Sequence, residues 1–287
     1  GLAAAAAAAG GLVVHGCANI APLGADAPRG KRGVVLFLHG AGGFADDYAR
    51  LYPGGIHRPE DYDIVFLQTP RSPGSHWMSF DDRSSLDRHW VSSQVEDNMD
   101  YLSNILDQLA SLYGGHEHVW IAGYSQGAVM SVAVALRGTD ELLAGAFVVA
   151  GYPPRPLYTD DEGAMSLPSN WSAAVIERKR KTKIYFYTGE LDRVLPISES
   201  FCRFKRVVDR YGLDPANYRF WSKTGYCHYP GDHNFQCFRR ISPDGNEFEA
   251  LWRIVRGEPD DVEGVVSVEP SSDCGPQPET GQKAAQG

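Results

Sequence analysis

The chain has 287 residues, 27 Lys and Arg against 36 Asp and Glu, a net charge of -9 at neutral pH and 43% hydrophobic residues. Such an acidic balance argues against a nucleic-acid partner, which needs a basic surface to meet phosphates. No run of about 18 apolar residues is present, so no segment is expected to span a membrane, and no repeat or internal linker divides the length into separate units.

Residues 1–30 are rich in Ala and Gly and read as a low-complexity, mobile N-terminal segment. The stretch before Cys17 has the look of a signal or transit remnant without a basic n-region, and the missing initial Met fits a fragment or a processed form. The first strong element is an apolar strand over 33–38 that opens into His39-Gly40-Ala41-Gly42-Gly43. A second strand is expected over 64–67, followed by Pro70 and the Trp77 loop. Residues 94–113 then form the clearest helix. Val95, Met99, Leu102, Ile105, Leu106, Leu109 and Leu112 recur at helical spacing, Ser93 and Glu96 make a capping-box pattern, and Gly114 supplies the stop.

An apolar strand over 118–122 precedes Gly123-Tyr124-Ser125-Gln126-Gly127, and a helix of small residues over 128–136 follows. A strand at 144–149 leads into a proline-rich stretch, 151–181, readable as a lid, an acyl-binding wall or a plain surface excursion. Its last residues, Arg178-Lys179-Arg180-Lys181, read as a solvated face before the next strand. That strand, 183–188, ends in a loop carrying Glu190 and Asp192. A helix over 197–211, a strand over 218–223 and a last helix over 248–255 complete the order, and residues 258–287 read as a flexible tail. Strands alternating with helices, with uninterrupted apolar runs at 64–67 and 144–149 of the sort buried on both faces, predict an α/β fold: a doubly wound, mostly parallel sheet flanked by helices, in one domain over 31–257.

A G-x-S-x-G sequence between a strand and a helix is the signature of a nucleophile elbow. The backbone strain there lifts a serine hydroxyl above the sheet, and the glycines avoid collision with neighbouring elements. Ser125 is therefore the candidate nucleophile. A serine needs a base and an orienting carboxylate. Asp192 stands just past one strand and is the candidate acid, with Glu190 as substitute and helix initiation as its ordinary alternative. His228 stands just past the last strand and is the candidate base, with His233 as the alternative. Cys227, His228, His233 and Cys237 do not have the spacing of a zinc site, and no metal or cofactor is expected. For the developing oxyanion, the main-chain amides of Ala41 and Gln126 are the candidate donors. His39, at the strand end, suits packing or hydrogen bonding rather than catalysis.

In order along the chain, Leu38-His39-Gly40-Ala41-Gly42, Gly123-Tyr124-Ser125-Gln126-Gly127, the Gly189 to Pro196 loop and Gly225-Tyr226-Cys227-His228 resemble the LHGxG, GFSQG, GxxDxxVP and GxxH landmarks of the phospholipase/carboxylesterase group of α/β-hydrolases, which includes acyl-protein thioesterases. The resemblance spans about residues 33–256. It implies a triad of Ser125, Asp192 and His228 and hydrolysis of small-molecule or lipid acyl esters or thioesters through an acyl-enzyme, without a cofactor. Gly43 stands where the group usually has Asp, and Arg193 stands where it usually has Pro. Dienelactone hydrolases and secreted feruloyl or polyester esterases share the scaffold, and a silent module that binds ligands or partners on the same fold is the reading from outside enzymology. The group is cytoplasmic. A sequon at Asn170-Trp171-Ser172 and the pair Cys227 and Cys237, close enough to be bridged, point instead to a secretory route, so compartment and oligomeric state stay open.

Overall fold

The computed structural model describes residues 12–14, 31–46, 48, 61–70, 76–79, 92–157, 167–189, 192, 197–223, 247–258 and 265–267. Its strands are β1 (Leu12–Val14), β2 (Gly33–Leu38), β3 (Tyr62–Leu67), β4 (Val119–Tyr124), β5 (Gly145–Val149), β6 (Ile184–Gly189), β7 (Tyr218–Lys223) and β8 (Val265–Ser267). They form one sheet in the order β1-β3-β2-β4-β5-β6-β7-β8. Every pairing is parallel except β7 with β8. Among the described residues the α-helices that accompany them are α1 (Ser92–Tyr113), α2 (Gln126–Ala133), α3 (Ala173–Arg180), α4 (Ile197–Tyr211) and α5 (Glu247–Arg256).

Alternation along each strand divides the core into two layers. Val34, Leu36 and Leu38 of β2, Ile121 of β4, Val148 of β5 and Phe186 of β6 face one side, where α1, α2 and α4 add Leu102, Leu106, Met130 and Phe204. Val35, Phe37, Ala122, Phe147 and Tyr187 face the other, where Leu251, Trp252, Ile254 and Val255 of α5 close over them. Burial on both faces is why these strands are continuous apolar runs.

Several expectations shift. α1 starts at Ser92, so Ser93 lies inside the first turn instead of capping it. α2 starts at Gln126 and gives way at Val134 to a π-helical turn ending at Gly138. Two edge strands come from the segments expected to be mobile: Leu12–Val14 pairs with β3 and Val265–Ser267 with β7. Each is a short run rich in β-branched residues beside an edge that offers free ladder groups.

The 151–181 stretch contains α3, the helix that returns the chain to the start of β6. Ser172 caps it, its hydroxyl accepting from Val175 N-H at 3.3 Å. Lys179 corrects the solvated reading of the basic run. It is fully buried, and its Nζ donates to Ala135 O at 3.0 Å and Glu141 O at 3.1 Å. The π-helical turn leaves carbonyls without helical partners, and the lysine supplies their donors. Its neighbours do stay outside: Arg178 pairs with Glu141 at 3.0 Å and Lys181 with Glu177 at 3.8 Å.

Candidate active site

β4 ends at Tyr124 and α2 begins at Gln126, leaving Ser125 alone to make the turn. Its backbone has φ 53° and ψ -117°, a conformation that a side chain makes costly. Three contacts hold it. Ser125 N-H donates to Val149 O at 2.9 Å, extending the ladder to β5, and Ser125 O accepts from Val129 N-H at 3.0 Å in the helix. The third is steric. A Cβ on Gly123 would stand 2.4 Å from the backbone of Gly127, and one on Gly127 would stand 2.2 Å from Leu38 O. The two glycines therefore let strand, helix and neighbouring strand end come within backbone contact. Ser125 keeps 8% of its surface exposed, against none for Ala128 and Val129, so it opens to solvent through a narrow window rather than standing clear of the surface.

The amides at the start of α2 have no partners within the helix, and the positive end of the helix dipole lies among them. Gln126 N-H is the first of these. The loop after β2 brings the other donor candidate to the same edge. Gly43 N-H donates to Gly40 O at 3.1 Å, closing a turn that presents Ala41 and Gly42 to solvent. Gly40 N-H is held by Tyr48 Oη at 3.1 Å.

His39 is buried, as its position at the strand end predicts. Thr69 N-H donates to its Nε2 at 3.2 Å and Gln68 Nε2 lies 3.1 Å from the same atom, so Nε2 is the acceptor and Nδ1 carries the proton, donating to Gly40 O at 2.8 Å. Burial drives its pKa from 6.5 down to about 4; the Gly40 carbonyl pulls the other way and nearby His76 adds a little repulsion. The imidazole is neutral and fixed, a structural part of the loop.

Asp192 lies just beyond β6, buried, its N-H donating to Gly189 O at 3.2 Å. The next described element, α4, begins at Ile197. β6 lies beside β5 and β7 beside β6, all parallel, so Ser125, Asp192 and the exit of β7 share the carboxyl edge of the sheet. His228, His233 and Glu190 lie outside the described residues. So do Cys227 and Cys237, whereas Cys202 in α4 is disulfide-bonded.

Sequence reasoning missed the groups that brace this edge. Trp77 N-H donates to Gln126 Oε1 at 3.0 Å, Gln126 Nε2 donates to Met78 O at 2.8 Å, and the Trp77 indole N-H donates to His39 O at 2.8 Å. Asn98 of α1 donates to Trp77 O at 2.5 Å. Neither Gln126 nor Asn98 carries a spacing signal; only a polar residue at an otherwise inward position of α1 hinted at the second. A depression of about 640 Å³ lined by His116, Glu141, Glu177 and Arg178 lies at the opposite, amino edge. Its ionic groups are neutralised among themselves and by Asp107. Among the described residues no His, Cys, Asp and Glu cluster fit to hold a metal is found, and no helix is long and apolar enough to cross a membrane.

The family model of the phospholipase/carboxylesterases matches residues 25–208, from ahead of β2 through the elbow and the acid loop into α4. The chain belongs to this family. Its fold is that of the α/β-hydrolases. A variant of SOBER1 from Arabidopsis thaliana superposes with a TM-score of 0.55 at 18% identity, over 78% of this chain and 98% of that one. Acyl-protein thioesterase 2 from Zea mays gives 0.58 at 15% identity, over 80% and 95%. A carboxylesterase from Mesorhizobium loti gives 0.53 at 15%, over 81% and 92%. No curated protein matches the chain. Family membership supports a carboxylesterase-like hydrolase acting on small ester substrates. The match ends before the segment that holds both histidine candidates.

Proposed function

We propose that the protein is a serine hydrolase that cleaves carboxylic esters or thioesters through an acyl-enzyme. The observation that carries this reading is the strained backbone of Ser125 at the turn between β4 and α2. A non-glycine residue is kept at positive φ only where the surroundings compel it, and such strain gathers at working sites. Asp192 at the same edge, a helix amide without an intrahelical partner beside the serine and the family's chemistry support it.

In this reading His228 takes the Ser125 proton as the oxygen attacks the acyl carbonyl, and Asp192 steadies the imidazolium. The amides of Ala41 and Gln126 hold the oxyanion. The protonated base gives its proton to the departing alcohol or thiol, and water then releases the acid by the same route. The cycle draws on side chains, main-chain amides and water. The substrate is a small-molecule or lipid acyl ester or thioester.

Turnover of p-nitrophenyl butyrate tests it. Ser125→Ala removes activity and covalent labelling by a fluorophosphonate, and a rate surviving that substitution refutes the nucleophile. A wild-type protein that neither turns over nor labels is instead a silent module. His228→Ala against His233→Ala decides the base, the true one losing about a hundredfold or more in kcat. Matched esters and thioesters of graded acyl length rank the substrates.

A further inference from the structure

The two proposed oxyanion donors stand on different elements, Ala41 on the loop after β2 and Gln126 at the start of α2. A backbone contact brings those elements together at Gly127 and Leu38, but it does not fix how the loop is tilted. We propose that Trp77, clamped by the Gln126 side chain, is a positioning residue that sets the distance between the two halves of the oxyanion hole.

The bonds form a continuous strut. The Gln126 amide side chain grips the segment after β3 at two points, accepting from Trp77 N-H and donating to Met78 O. Trp77 is fully buried, and its three polar atoms are all engaged: N-H to Gln126, O to Asn98, indole N-H to His39 O. Its ring also lies against the His39 ring, centroids 5.2 Å apart. His39 is two residues before Ala41, and its imidazole pins the next peptide through Gly40 O. Further along, Ser79 N-H donates to Gln94 Oε1 at 2.8 Å, so α1 holds the far end. The residue that offers one donor thus reaches through an indole to the chain that carries the other.

A preorganised hole works because its donors do not move as charge develops, and a small displacement costs rate without costing ground-state binding. The inference rests on the hydrolase reading, and its tests separate the two. Trp77→Phe keeps a six-membered aromatic ring and deletes the pyrrole ring with its N-H. The expected result is a fall in kcat on the order of tenfold with KM little changed, since the donors are displaced, not removed. Affinity for a trifluoromethyl ketone falls in parallel. Ser125 Oγ adds to that carbonyl carbon, its proton passes to the base, and the carbonyl oxygen becomes the oxyanion the hole must hold. Gln126→Met weakens both in the same way, and the double variant loses less than the product of the two single losses because both act through one strut.

A merely structural role moves none of these ratios. Leu109→Val, near the amino edge at the far end of α1, supplies a destabilised control with kcat intact. Amide exchange over residues 36–45 accelerates in Trp77→Phe whether or not the protein is active. Unchanged exchange there overturns the strut. So does an unchanged kcat and ketone affinity in a variant still labelled at Ser125, or a fall matched by the Leu109→Val control. Wild-type protein that fails to turn over any ester overturns the hydrolase reading and the oxyanion role with it.

Discussion

Acidification should unlock the site loop through His39, and the size of the effect follows from its environment. The imidazole is 1% exposed, neutral, and accepts from Thr69 N-H on the nitrogen that a second proton would occupy. Its pKa falls from 6.5 to about 4. Above pH 6.5 neither the folded nor the unfolded chain protonates this group, so it adds no pH dependence. Between 6.5 and about 4 the unfolded chain takes up a proton that the folded chain refuses, and stability falls with pH. At about 1.4 kcal/mol per unit the full loss is about 3 kcal/mol, most of which has been lost at pH ~4.5. That is a large share of the ~5–15 kcal/mol by which domains are stable. Urea unfolding of wild type and His39→Gln, followed by tryptophan fluorescence at neutral pH and near pH 4.5, isolates the effect. The glutamine keeps an acceptor for Thr69 and does not titrate, so other acid-sensitive groups cancel in the comparison. Wild type should lose roughly 2–3 kcal/mol more than the variant on acidification. Equal losses in the two proteins would refute both the tautomer and the buried neutral state.

Lys179 should act with the same logic at the other end of the scale. Burial lowers its pKa from 10.5 to about 8, so the unfolded chain binds more protons between those values and stability rises with pH there; relative to Lys179→Met, wild type should gain about 2 kcal/mol between pH ~8 and ~10 in urea melts. Gly127→Ala forces a methyl to 2.2 Å from Leu38 O, a backbone atom that cannot rotate away; the variant should lose about 2 kcal/mol or more and most of its esterase activity, read by melting and by p-nitrophenyl butyrate turnover.

The sheet was legible because its physics is local. A strand covered on both faces must be apolar throughout, and Gly33–Leu38 stands where that pattern placed it; Tyr218–Lys223, of mixed polarity, also keeps its expected bounds. The stripe Val95, Met99, Leu102, Ile105, Leu106 and Leu109 faces the core, as helical spacing requires. What escaped depends on partners distant in sequence. Four successive cations look like a solvated face, and only the carbonyls of Ala135 and Glu141 explain why the second turns inward. Arg203 of α4 is buried too, paired with Glu199 and stacked 4.1 Å over Tyr152; the i,i+4 spacing announces the ion pair, but not the burial or the stacking on Tyr152. The edge strands were too short for periodicity to register. At the site the elbow motif pointed to Ser125 as the candidate nucleophile, yet nothing marked the Gln126 side chain, since a motif records which amide is offered and not what the side chain grips.

The strain at Ser125 has a counterpart on the next strand. Ala150, directly after β5, is the other non-glycine residue at positive φ among those described, at 48°. The two are linked: Ser125 N-H donates to Val149 O, and Ala150 N-H donates to Tyr187 O at 2.8 Å. Each bond belongs to the parallel ladder and persists one step past the strand ends, so the ladder stays paired while the chain is forced to turn. Strain of this kind costs about 1–3 kcal/mol per residue. It is offset here by hydrogen bonds that an unstrained exit would forfeit, and by burial of Ala150 and Gly151 against α2, where a Cβ on Gly151 would meet the Ala128 methyl at 2.5 Å. The turn at Ser125 is therefore held by the sheet and not by its own sequence, which is why five residues in isolation are weak evidence for an elbow and the same five between β4 and α2 are strong.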